Sequence, residues 1–192
     1  MSHYFIAIPL PISLKNHFSY LQEELKKQLP YRHWPNKHDL HITLNFIGPI
    51  ESERLYYLEK ELKKIEDIEE FPVDVGSIGM FGNSNRPRVL WADVMKTKQL
   101  ITLHEQIEIC MSNLGFQKEL RTYRPHITLA KKWDGLSVNN LLEAINSQFS
   151  MEIQTLKVNE VVLYKIFPSR TPKYEVIYKY RLKEGEQFGP VN

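Results

Sequence analysis

The tetrapeptide His-Ile-Thr-Leu occurs twice, at residues 41–44 within HITLNFIG and at residues 126–129 within PHITLAKK. In a β-strand successive side chains point to opposite faces, so residues i and i+2 share a face. His41 and Thr43 therefore fall on one face, and Ile42 and Leu44 on the other. The same holds for His126 and Thr128 against Ile127 and Leu129. Each strand has an apolar side to bury in a core and a polar side that must meet water, a ligand or another part of the protein. The histidines lie 85 residues apart (126 − 41), near half of the 192-residue chain.

The segments around the two motifs read as alternating elements. Residues 3–8 form a strand that Pro9 and Pro11 end. Ser13 caps a helix over residues 13–29, with Phe18, Leu21, Leu25 and Leu29 at helical spacing. Residues 30–38 (PYRHWPNKH) read as a polar, aromatic loop leading into the first motif strand. Leu55, Leu58, Leu62 and Ile65 mark a helix over 51–67. Residues 71–80 and 88–94 read as strands joined at Gly82-Asn83-Ser84-Asn85. A helix over 98–114 stops at Gly115, the residue type favoured just past a helix end. After the second motif come a helix near 138–149 and strands near 152–158, 160–166 and 174–180. The order strand, helix, strand, helix, strand, strand then recurs approximately, although the halves share little identity beyond the motif. This predicts an α+β protein, residues 1–192 forming one domain of two related lobes. Each lobe is expected to be a mainly antiparallel sheet backed by helices, with a cleft between them.

The bulk properties narrow the function classes. A net charge of +2 suits a polyanionic ligand but argues against a broad duplex-coating face. The single cysteine, Cys110, excludes an intrachain disulfide framework, and its apolar helical pattern makes it a buried residue and not a nucleophile. The first residues lack the pattern of a signal peptide, and no apolar run reaches the roughly 18 residues of a membrane span. A cytoplasmic setting is the expectation, with no membrane and no protein partner.

If a pseudo-twofold relates the lobes, the two polar faces meet across the cleft. Two imidazoles and two hydroxyls would then surround one small volume. Imidazole titrates near pH 6.5, so one ring can act as base while the other acts as acid. A threonine hydroxyl can donate to an anionic oxygen. Such a group fits the opening of a phosphodiester by water without a metal. The competing reading is zinc held by His38, His41 and His126. It calls for further ligands, and the chain has neither an HExxH motif nor paired-cysteine spacing. No cofactor is expected. His3, His17 and His104 read as surface residues, and His33 and His38 as loop residues. Tyr123 and Tyr164 are candidates either to face the cleft or to pack with one wet end.

HITLNFIG, RPRVLWADV, RPHITLA and LYKIFPSRTPKYEVI together resemble the 2H phosphoesterases, specifically the bacterial RNA 2',3'-cyclic phosphodiesterases, also called 2'-5' RNA ligases. The similarity spans nearly the whole chain. It implies a bilobal fold with His41 as proton donor, His126 as proton acceptor, and Thr43 and Thr128 binding phosphate. It implies that Phe46 and Trp91 stack on a substrate base. Where the family usually has arginine after HITLA this chain has Lys131, a point charge and not a bidentate fork, with Arg124 nearby as a second cation. The family's serine after the tyrosine of the penultimate strand is also absent, Ile166 lying in that region. The implied activity is hydrolysis of RNA 2',3'-cyclic ends to 2'-phosphomonoesters, with 2'-5' ligation as the reverse. Alternatives are a phosphodiesterase on small cyclic nucleotides or 2',5'-linked oligonucleotides, and a non-catalytic module that binds RNA ends.

Overall fold

A computed structural model describes residues 2–137, 140–148 and 153–185 of the chain. The elements run β1 (His3–Pro9), α1 (Ile12–Lys26), β2 (Tyr31–His33), β3 (His41–Pro49), α2 (Ser52–Leu62), β4 (Phe71–Asn83), β5 (Arg86–Val94), α3 (Lys98–Asn113), β6 (His126–Trp133), α4 (Leu141–Gln148), β7 (Gln154–Val158), β8 (Glu160–Ile166) and β9 (Tyr174–Arg181). Short 3-10 turns occupy Lys37–Asp39 and Lys63–Asp67. The ends expected at residues 138–139, 149 and 152 lie outside the described residues.

Three local expectations are corrected. Ser13 does not cap α1, which begins at Ile12 with Pro11 at the cap position and no side-chain cap. The helix stops before Leu29, because Pro30 disfavours helical backbone in the residue preceding it. The segment expected as a loop over 30–38 contains strand β2, which pairs with β6 through Tyr31–Trp133 and His33–Lys131. Three residues carry too little pattern to be read as a strand, and the partner strand supplies the order. By contrast, α3 ends as expected. Gly115 takes a φ of 71°, and the Gly115 and Phe116 N–H groups bond back to the Ser112 and Met111 carbonyls.

The strands form one antiparallel sheet in the order β7-β4-β5-β6-β3-β1-β8-β9, with β2 beside β6. Its two halves meet at a single pair, Ile42 against Ile127, where β3 and β6 touch before diverging. The lobes are not the halves of the sequence. One lobe combines β1 and β3 with β8 and β9 from the end of the chain, and the other takes β4 from before β5 and β6. Each motif strand is thus the inner edge of its own lobe.

The apolar sides of the helices pack on one face of this sheet. Leu14, Phe18, Leu21 and Leu25 of α1 join Leu100, Leu103, Ile107 and Met111 of α3 in one buried cluster with Ile42, Leu44, Ile127 and Leu129. Cys110 lies in it as expected, its thiol donating to the Glu61 carbonyl at 3.4 Å, with burial pushing its pKa up. Strand β1 is apolar on both sides because both are covered. Tyr4, Ile6 and Ile8 join the main core, while Phe5 and Ala7 form a second cluster with Val162 and Tyr164 on the opposite face. That second face carries the site. Among the described residues no helix is long and apolar enough to cross a membrane.

Candidate active site

His41, Thr43, His126 and Thr128 all line one cavity of about 220 Å³ at the junction of the lobes. The register explains the meeting. Ile42 opposite Ile127 in an antiparallel pair puts His41 across from Thr128 and Thr43 across from His126. The apolar residues of both motifs point to the helices, so both polar pairs point the other way.

A β-bulge falls at the last residue of each motif. The pairing of β3 with β1 skips Leu44, and that of β6 with β5 skips Leu129. A bulge inserts one unpaired residue and reverses the alternation beyond it. Asn45 is therefore turned to the helix side, where its amide donates to the buried Glu108 carboxylate, and Phe46 faces the cavity instead. On β6 Leu129 and Ala130 are both buried, and Lys131 comes round to the cavity. The fifth residue after each histidine thus completes the lining, as an aromatic ring on one side and a cation on the other. Carbonyls at the bulges find side-chain donors. Gln22 of α1 donates to the Leu129 carbonyl at 2.9 Å, and the Tyr123 hydroxyl donates to the Thr43 carbonyl at 3.3 Å.

Both imidazoles are anchored alike. His41 Nδ1 donates to the Asp39 carbonyl at 2.7 Å, and His126 Nδ1 donates to the Arg124 carbonyl at 2.7 Å. A carbonyl only accepts, so each Nδ1 carries the proton and each Nε2 is the atom free to exchange one. The Asp39 carboxylate in turn accepts from the Lys173 N–H at 2.9 and 3.0 Å and from the Tyr174 N–H at 3.1 Å, which ties the β8–β9 loop to the start of β3.

The surroundings of the two rings differ. His41 packs against Phe5 at 4.7 Å and Tyr174 at 5.3 Å between centroids, and its Nε2 accepts from the Thr43 hydroxyl at 3.0 Å. Burial lowers its pKa to about 4, with the nearby Lys131, His126 and Lys15 adding to the effect against the opposing Asp39 carbonyl bond. His126 meets the edge of Phe81 at 4.9 Å and Trp91 at 6.1 Å. Its pKa is also lowered, mainly by burial. Burial first, then Lys173, lowers that of Lys131. Burial thus favours the neutral forms of both imidazoles.

Of the remaining expected residues, Phe46 stands at the cavity with 63% of its surface exposed. Trp91 is next to His126 but does not line the cavity. It lies over Gly79, where an added Cβ would meet its Cη2 at 2.1 Å. Arg124 contributes its carbonyl, while its guanidinium stands 5.8 Å from the Phe81 ring centre. Ile166, in the region where the resemblance led to the expectation of a serine, lines the cavity. Tyr123 stacks on His104 at 3.9 Å, and Tyr164 is buried beside Phe5. Neither faces the cavity, and neither His33 nor His38 lines it. Among the described residues no three His, Cys, Asp or Glu side chains gather as a metal-ligand set. Sequence reasoning missed Phe5, Asp39, Phe81 and Tyr174. Asp39, two residues before His41, is the one that spacing alone offered.

The fold and this cavity make a two-lobed α+β protein whose lobes meet at paired imidazoles and threonine hydroxyls. The family model described as the 2'-5' RNA ligase superfamily matches residues 10–166, and the chain belongs to that family. It is 34% identical over 184 residues to the RNA 2',3'-cyclic phosphodiesterase of Bacillus subtilis, covering 94% of this chain and 96% of that one. It is also 34% identical over 188 residues to the protein of that name from Geobacillus stearothermophilus, covering 94% of this chain and 57% of that longer protein. Among solved structures, E. coli LigT complexed with 3'-AMP superposes with a TM-score of 0.75 at 20% identity, covering 95% of this chain and 99% of that one, which shows a shared fold.

Proposed function

We propose that the protein hydrolyses the 2',3'-cyclic phosphodiester ends of RNA to 2'-phosphomonoesters, using His41 and His126 as an acid–base pair and no metal. The observation that carries this reading is the pairing of two Nδ1-anchored imidazoles in one cavity of about 220 Å³ with two threonine hydroxyls and Lys131. The relatives named as RNA 2',3'-cyclic phosphodiesterases support the same substrate.

The asymmetry of the rings fits a division of labour. His126 Nε2 has no protein hydrogen bond among the described contacts and is neutral, so it takes the proton of an attacking water. The water oxygen bonds to phosphorus, the bond from phosphorus to the 3'-oxygen breaks, and His41 Nε2 delivers a proton to that oxygen. His41 must first be protonated, and its free pKa of about 4 opposes this. An anionic phosphodiester beside the ring favours the imidazolium, so proton uptake accompanies substrate binding. The Thr43 hydroxyl, which donates to His41 Nε2, then turns to a phosphate oxygen. Thr128 and Lys131 bind the other side of the phosphate, and Phe46 offers a face to the terminal base. Base–aromatic stacking contributes about 1–3 kcal/mol.

The test is to incubate purified protein with RNA bearing a 2',3'-cyclic end, with and without prior EDTA treatment, and to identify the terminal phosphate. A 2'-phosphate formed at the same rate in both samples is expected. A 3'-phosphate product, or activity that EDTA abolishes and added metal restores, refutes the mechanism.

A further inference from the structure

We propose that the groove adjoining the catalytic cavity is the track for the RNA strand behind the cyclic end, so that the preferred substrate is an oligonucleotide and not a cyclic mononucleotide. This rests on the function proposed above and extends it to residues outside the cavity. The groove has a volume of about 850 Å³, and Arg86, Arg88, Lys131, Lys132, Trp133 and Asp134 are among its lining. Lys131 lines both spaces, so the groove and the cavity adjoin at this cation.

Three features favour a polyphosphate chain as the occupant. First, the cations lack counter-charge: among the described ion pairs none involves Arg86, Arg88, Lys131 or Lys132, and Asp134 is held by Arg32 at 2.6 Å. In a chain of net charge +2 this is a local concentration and not general basicity. Second, Arg86 and Arg88 are exposed residues at the start of β5 that both line the groove, although the pairing with β4 skips Arg88, and two residues of chain set their Cα atoms no more than about 7 Å apart. That spacing suits neighbouring phosphates of an extended single strand. Third, Lys131 and Lys132 are consecutive, and in a regular strand they would point to opposite faces. Lys132 instead has a φ of 64°, uncommon for a residue with a side chain, and both lysines line the groove. A cyclic phosphate is by its chemistry terminal, so one strand leaves the cavity, and this groove gives it a basic path.

The experiment compares kcat/KM for a short single-stranded RNA with a 2',3'-cyclic end and for a cyclic mononucleotide. Both are measured with the wild type and with the Arg86→Gln, Arg88→Gln, Lys132→Gln triple variant, across a salt series. Binding of the same labelled RNA sequence with a non-reactive 3' end is followed separately by anisotropy. Single-strand contacts contribute about −0.7 each to the slope of log K against log salt, so three give about −2 and a fourfold rise in salt weakens the RNA about 20-fold. The triple variant should lose most of that slope and bind RNA more weakly at low salt, while its turnover of the cyclic mononucleotide stays within about twofold of wild type. Equal wild-type kcat/KM for the two substrates, or a variant whose RNA binding and salt slope match wild type, overturns the proposal. Salt-sensitive RNA binding without turnover of either substrate would instead uphold the groove and refute the hydrolytic reading of the cavity.

Discussion

The low pKa of His41 makes the stability of the protein depend on pH in a way one substitution should erase. In the unfolded chain the ring titrates near 6.5, and in the folded protein near 4. Between these values the unfolded state binds more protons than the folded one, so stability rises with pH and falls as pH drops through this window. The full difference of 2.5 pH units corresponds to about 3 kcal/mol, of which about 2 kcal/mol is already lost at pH 5. For a chain of this size about 2 kcal/mol moves Tm by roughly 4–8 °C. His41→Asn removes the titrating group while leaving an amide able to donate to the Asp39 carbonyl. His126, His33 and His104 are also shifted downward, mainly by burial, so the wild type alone does not isolate His41. The assay is urea unfolding of both proteins at pH 7.5, 6 and 5, and the quantity read is the difference between their pH trends. His41→Asn should be the flatter by about 2 kcal/mol at pH 5. Parallel trends refute the claim that the folded site holds His41 neutral, and with it the need for proton uptake on binding.

Three further outcomes follow from the geometry. His41→Ala and His126→Ala should each lower turnover about 10²–10⁴-fold while the protein stays folded at the assay temperature, with about 1–3 kcal/mol lost where the Asp39 or Arg124 carbonyl is left without its donor, and the double variant should be little worse in turnover than the worse single, since the pair acts as a unit; additive losses in single-turnover assays would speak against a shared step. Gly79→Ala puts a Cβ about 2 Å from the Trp91 ring, so it should cost about 1–3 kcal/mol and move Trp91 against His126, lowering kcat; unchanged melting and kinetics would show that the ring has room to shift. Gln22→Ala leaves the Leu129 and Pro35 carbonyls without this donor and should destabilise by about 1–3 kcal/mol while raising KM through a displaced Lys131; a variant with wild-type urea midpoint and KM would mean that the bulge holds itself.

What the amino-acid sequence determined by itself was everything that depends on local periodicity. The alternation in His-Ile-Thr-Leu placed both histidines and both threonines on the face away from the helices. The 3.6-residue spacing marked α1, α2 and α3, Gly115 marked the end of α3, and Cys110 was legible as core. The resemblance carried by the two motifs supplied the family. The tertiary structure alone decided which strands are neighbours, because pairing energy comes from partners distant in sequence. A repeated element order does not reveal that β8 and β9 close the lobe of β1 and β3, or that β2 exists only against β6. It also decided the phase beyond each motif. Simple alternation would have sent Asn45 to the cavity and Phe46 away from it. The bulges at Leu44 and Leu129, set by register against β1 and β5 and by donors from Gln22 and Tyr123, bring Phe46 and Lys131 in instead. The same non-local packing puts Phe5 and Tyr174 around His41 and Phe81 beside His126, and that burial gives two imidazoles with one intrinsic pKa two different environments.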